Sequence, residues 1–293
     1  MVRHDGGLRG DKTASHLSDI GFNPMDQEEW KALVRHAAKS GEPLESRKGT
    51  HIRWSPGHGI ELWVQVRLSK KKPELIGCVP HFSGTSRTRY GPEKMYHDPS
   101  IHTELDGSYH GYANPPGDDP RLGDYPLILD VPDFDLSWSR VVCPAIVEVQ
   151  VAAFAHEVAF YPDEQAFDES QTEKPGFAAQ SFIPSGTFLP GGGLVQPPKA
   201  EAIAAGRVLH EESLTNPETG RSFCHAKVET YGAELDVVAD PEIVKGTPSP
   251  GGVAFGVFWL SGRIVGGAGF KSHRTEPAAD VNRGFGRLFR GKG

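Results

Sequence analysis

At 293 residues, with 37% hydrophobic and 24% charged positions, the chain has the make-up of a globular protein able to bury a core without disulfides or metals. No run approaches the roughly 18 apolar residues of a membrane helix, and a net charge of −7 disfavours a phosphate-binding body. The 3 cysteines, Cys78, Cys143 and Cys224, share no CxxC spacing. This argues against a zinc knuckle or a disulfide framework and for a reducing, cytoplasmic setting.

With 35 glycines and 24 prolines, the chain should hold many turns and few long helices. Residues 1–15 read as a flexible leader, charged at Arg3, Arg9 and Lys12 but without the apolar stretch of a secretory signal. His16 to Phe22 reads as a short strand and Asn23-Pro24 as a turn or helix start. Asp26 and Glu29 have capping-box spacing. Trp30, Leu33, Val34, Ala37 and Ala38 then form one apolar stripe, and Gly41 closes the helix. The expectation is an amphipathic helix over about 26–40, lying on an antiparallel sheet.

Thr50–Trp54, Ile60–Leu68 and Leu75–Phe82 read as strands. Residues 84–124 are loop-heavy, with a strand at Ser108–Ala113, and Tyr125–Val131 is another strand. From Val141 to Phe160, valines alternate with Glu148 and Gln150, which favours a strand with a bend over a helix. Residues 162–200 are a long Pro/Gly loop or linker. Four strands follow, at Ala202–His210, Ser222–Thr230, Glu234–Val238 and Val253–Val265, with a hairpin turn at 216–220. Gly256, Gly262, Gly266 and Gly267 suggest bulges that curl the sheet toward a barrel. The fold class is α+β, mostly β. The expected parts are a leader at 1–15, an α+β domain at 16–135, a β-rich barrel-like domain at 140–267 and a basic tail at 268–293.

The order of strand, helix and strands over 16–68, opening with His16-Leu17-Ser18-Asp19-Ile20-Gly21-Phe22 and reaching Ile60-Glu61-Leu62, resembles the βαβββ module of the vicinal oxygen chelate superfamily (glyoxalases and extradiol dioxygenases). The resemblance implies a single divalent transition metal held by His16 and Glu61, with open positions for a chelating substrate. A second region, 81–110, gathers His81, His97, His102 and His110 with Asp98, Glu104 and Asp106. His97, His102 and Glu104 are metal-ligand candidates there. Equally, Tyr90, Tyr96, Tyr109 and Tyr112 suggest a polar–aromatic surface for a partner.

No HExxH, P-loop or nucleophile elbow occurs, and no residue is assigned a catalytic role. Asp98 to Glu173 is acidic, whereas Arg283, Arg287 and Arg290 belong to a basic tail that can pair with that acidic body between copies. The expected function is a non-enzymatic binding or assembly module acting through protein surfaces on a protein partner or on itself. The alternative is a divalent-metal-dependent enzyme of the vicinal oxygen chelate type. Neither a membrane nor a nucleic acid is an expected partner, since the strands over 202–265 carry acids in plenty, Glu211, Glu212, Glu229, Glu234 and Asp236 among them.

Overall fold

The computed structural model describes residues 16–67, 73–172, 176–185 and 199–270, apart from the Trp138 side chain. The leader at 1–15 and the tail from 271 on, with Arg283, Arg287 and Arg290, lie outside the described residues.

The first described element corrects the expected strand at 16–22. Ser18–Ile20 is a 3-10 turn, closed by Gly21 at φ 78° with its N–H on the Ser18 carbonyl. The turn brings Leu17, Ile20 and Phe22 together in one buried cluster, which an extended chain with its period of two would split between two faces. Helix α1 (Gln27–Ser40) forms as expected. The Asp26 carboxylate accepts from the Glu28 and Glu29 amides, and the Glu29 carboxylate reaches back to Met25 N–H at 2.7 Å. Its stripe packs Val34, Ala37 and Ala38 against the first sheet.

That sheet is an antiparallel meander of β1 (Glu42–Glu45), β2 (Gly49–Gly57), β3 (Ile60–Arg67) and β4 (Glu74–Phe82). On β3 the alternation sends Leu62 and Val64 into the apolar cluster beneath α1 and Glu61, Trp63 and Gln65 to the opposite face.

The second sheet contains β5 (Thr88–Tyr96), β6 (Gly107–Ala113), β7 (Pro126–Val131), β8 (Val147–Tyr161), β9 (Ser181–Pro184), β10 (Glu201–Thr215), β11 (Ser222–Thr230), β12 (Glu234–Ala239), β13 (Val244–Lys245) and β14 (Val253–Gly266). Its frame is the antiparallel pair β8–β14. Along one edge of β8 lie β5, then β12, then β13. Along the outer edge of β14 lie β10 and, at Ser261, β7. Pairing therefore closes two rings on one shared ribbon: β8-β12-β11-β10-β14, and β8-β5-β6-β7-β14. At about 3.3 Å per residue a 15-residue strand runs about 50 Å, long enough to serve both. One apolar core fills both rings, from Tyr90, Leu127 and Leu129 through Val149, Val151 and Ala153 to Val208, Val228 and Val237.

Strand β5 falls in the stretch expected to be mostly loop. Its Gly91-Pro92 sits at a register shift between Pro92 and Lys94, which hid the alternation. Two short helices add to α1: α2 (Phe134–Trp138) and, inside the expected Pro/Gly loop, α3 (Glu164–Ser170). The two sheets part at 83–87, and β5 to β7 hydrogen-bond into the same sheet as β8 and β14. Among the described residues no helix is long and apolar enough to cross a membrane.

Candidate functional site

Two clusters of polar side chains lie on the outside of the barrel. The first is buried where the β2–β4 sheet meets the outer faces of β8, β12 and β14. The Ser261 hydroxyl lies 2.9 Å from His81 Nδ1, and His81 Nε2 lies 2.9 Å from Gln150 Oε1. Gln150 Nε2 donates to Asp236 Oδ2 at 2.8 Å, and His225 bridges Asp236 Oδ1 at 3.1 Å and Glu212 at 3.0 Å. Because the Gln150 amide donates to a carboxylate, its oxygen must accept from His81 Nε2–H, leaving Nδ1 to accept from Ser261. Burial pushes His81 down to about 4, which keeps that ring neutral.

Asp236 also accepts from the Thr85 and Ser86 amides at 3.1 and 2.9 Å. Burial alone raises its carboxyl, but the bonds from His225, Ser86 and Gln150 outweigh that and hold it at about 2. Glu61 is fully buried; Oε1 takes Arg53 Nε and Nη2 at 2.9 and 2.5 Å, Oε2 takes Trp63 Nε1 at 2.8 Å, and Arg263 stands 3.6 Å away. Burial opposes its ionisation, yet the two guanidiniums keep the carboxyl below its usual range. These groups spend their protons and lone pairs on one another, as burial requires.

The second cluster is half-exposed and centres on Asp130, which alternation turns outward between Leu129 and Val131. Asp130 accepts from Trp259 Nε1 at 2.7 Å and from the Ser108 hydroxyl at 2.9 Å, and His102 Nε2 stands 3.9 Å away. His16 stacks on Trp259 with ring centres 4.6 Å apart and lies 5.2 Å from His156. Its Nδ1 faces Asp19 Oδ2 at 4.0 Å. Burial and His156 push His16 down to about 4 against the pull of Asp130. His110, lowered by burial and Lys94, flanks Tyr96 at 5.2 Å.

The sequence candidates scatter over these two clusters. His16 belongs to the Asp130 wall, whereas Glu61 is tied to Arg53, Trp63 and Arg263 in the buried layer. His97 and His102 meet, with ring centres 5.9 Å apart, but Glu104 turns away to Arg67 at 2.7 Å. Among the described residues no group of three or more His, Cys, Asp or Glu side chains is placed to hold a metal ion.

The four tyrosines divide by strand period. Tyr90 and Tyr109 point into the barrel, fully buried, with hydroxyls on the Leu127 carbonyl and Ser137; they are core residues, not surface. Tyr96 and Tyr112 point out, half-buried. Sequence reasoning missed Asp130, Trp259, Gln150, Asp236 and Ser261. The available signal was a lone polar residue between apolar ones, as in Leu235-Asp236-Val237. No family model, no curated protein and no solved structure matches the chain.

Proposed function

We propose that the protein is a non-enzymatic binding or assembly module acting through protein surfaces, with a second copy of the chain as its partner and the wall around Asp130 as its contact face. One observation carries the reading: period-two strands turn Tyr96, His110, Tyr112 and Asp130 outward at partial exposure. Meanwhile Glu61, His81 and Asp236 are bonded inside the fold. Aromatic rings and imidazoles on a fixed sheet match the residue types enriched at protein interfaces. Charge favours pairing between copies, since 98–173 is acidic and the segment from Lys271 is basic. Three unpaired thiols fit a reducing, cytoplasmic setting.

The test is the mass of the full chain in solution across a concentration series, beside a variant carrying Tyr96→Ser, His110→Ser and Tyr112→Ser. These side chains lie outside the barrel core, so melting should hold steady while the dissociation constant rises at least about tenfold. A chain that stays monomeric at high concentration, or a variant that associates as the parent does, overturns the reading.

A further inference from the structure

The turn at 98–102 is closed twice by one residue. The His102 amide donates to the Asp98 carbonyl at 2.8 Å, and the Asp98 amide donates to His102 Nδ1 at 3.0 Å. Ser100 adds its amide and hydroxyl to Asp98 Oδ1. A ring nitrogen that accepts a hydrogen bond carries no proton, so this geometry fixes the neutral tautomer with hydrogen on Nε2. Nε2 faces Ser108 Oγ at 3.5 Å and Asp130 Oδ1 at 3.9 Å, within reach of a small rotation but not yet bonded at full strength.

A proton added to His102 must sit on Nδ1. Two N–H groups would then confront each other at 3.0 Å, and the turn would lose the second of its two closing bonds, keeping only that from the His102 amide to the Asp98 carbonyl. The same proton makes the ring a cation beside carboxylates. The groups facing it are Asp98 and Asp106 in its own loop, Asp130 on β7, and His97 and His110, the latter on β6. We propose that His102 is a two-position latch, bonding the Asp98 amide when neutral and shifting to Asp130 when protonated, so that the 98–102 turn opens in acid.

Both positions exist in the structure: the first is made, and the second lies about an ångström short of contact. Burial of the ring opposes protonation, but Asp130 and the two loop carboxylates outweigh it and raise the imidazole above its ordinary value, which brings the exchange toward neutral pH. The movement is confined to the turn, because Thr103 is anchored on Gln65 at 2.6 Å, Glu104 on Arg67 at 2.7 Å, and Leu105 is fully buried. Ile101, 71% exposed, rides on the moving part. Where the latch bears on partner binding it rests on the contact face proposed above; the latch itself needs no partner.

The experiment is NMR on the full chain from pH 8 to pH 5, following the His102 ring nitrogens and the exchange of the Asp98 amide, corrected for its intrinsic rate. At the upper end His102 should show the Nε2–H tautomer. Across its titration the corrected Asp98 exchange rate should rise about tenfold, and His102→Gln, whose side-chain oxygen accepts at every pH, should remove that rise. In Asp130→Asn the midpoint should fall while exchange still follows it. An Nδ1–H tautomer at pH 8, or Asp98 exchange that ignores the titration, overturns the latch. Association that is lost or kept independently of the turn bears on the contact face alone.

Discussion

Asp236 holds more of this molecule together than any acid or base singled out from the sequence. Four donors reach its two oxygens from three separate parts of the chain: the Thr85 and Ser86 amides, Gln150 and His225. Its carboxyl sits at about 2 when folded against 3.8 in its ordinary state. The bound form is thus favoured above about pH 4, and that stability is lost as pH falls through 2. A shift of this size corresponds to about 2 kcal/mol. Asp236→Asn should lower unfolding free energy by about 2–4 kcal/mol at pH 7, with the deficit shrinking between pH 4 and pH 2. An equal deficit at both ends would refute the ionic account.

His81 also loses its contribution in acid, but in a higher window and because the neutral form, not the charged one, is held. Neutral when folded down to about 4, it takes a proton near 6.5 once unfolded. Stability is therefore whole above about 6.5 and drains as pH falls toward 4; His16, held at about 4 as well, adds to the same loss. Urea midpoints should drop steadily over that range, and a flat profile would contradict the buried neutral rings.

At the scale of elements, the passage from the first sheet to the barrel depends on Gly84. A Cβ there would lie 2.1 Å from the Asp236 carboxylate carbon, a group pinned by the four donors and unable to swing aside. Gly84→Ala should cost more than about 2 kcal/mol, whereas Gly220→Ala, with nothing within 4 Å though at φ 69°, should cost less. Chemical denaturation of the two variants compares them directly; equal losses would remove the carboxylate from the explanation.

For the molecule as a whole, β8 and β14 belong to both rings, and one apolar core runs through them. Separating β8 from β14, the one pairing common to both rings, would open both at once. The first sheet is bound in by the Ser261–His81–Gln150–Asp236 chain and by Phe82 against Phe223 and His225. Urea unfolding should therefore be a single transition, with tryptophan fluorescence, weighted to Trp30, Trp54 and Trp63 of the first part, coinciding with far-ultraviolet circular dichroism of the strands. Two separated midpoints would show that the parts fold apart.

Local chemistry alone determined helix α1, with its Asp26 cap and its stripe at Leu33, Val34 and Ala37. It likewise determined the strands around Val64, Val149 and Val257, because capping and period-two alternation are short-range properties written into neighbouring residues. The mostly β class and the barrel-like closure followed from those strands and the glycines of β14. Only tertiary structure decided where those strands pair, because ring closure joins β8 to β12, 84 residues on at Asp236↔Ala152. It alone decided that Tyr90 faces a core while Tyr96 faces out, since a bulge at Pro92 resets the alternation. His16 and Glu61 shared an expected site in the sequence, yet the fold gives one to Trp259 and the other to Arg53. A polar side chain takes its role from the donors and charges that folding brings to it, and those come from anywhere in the chain.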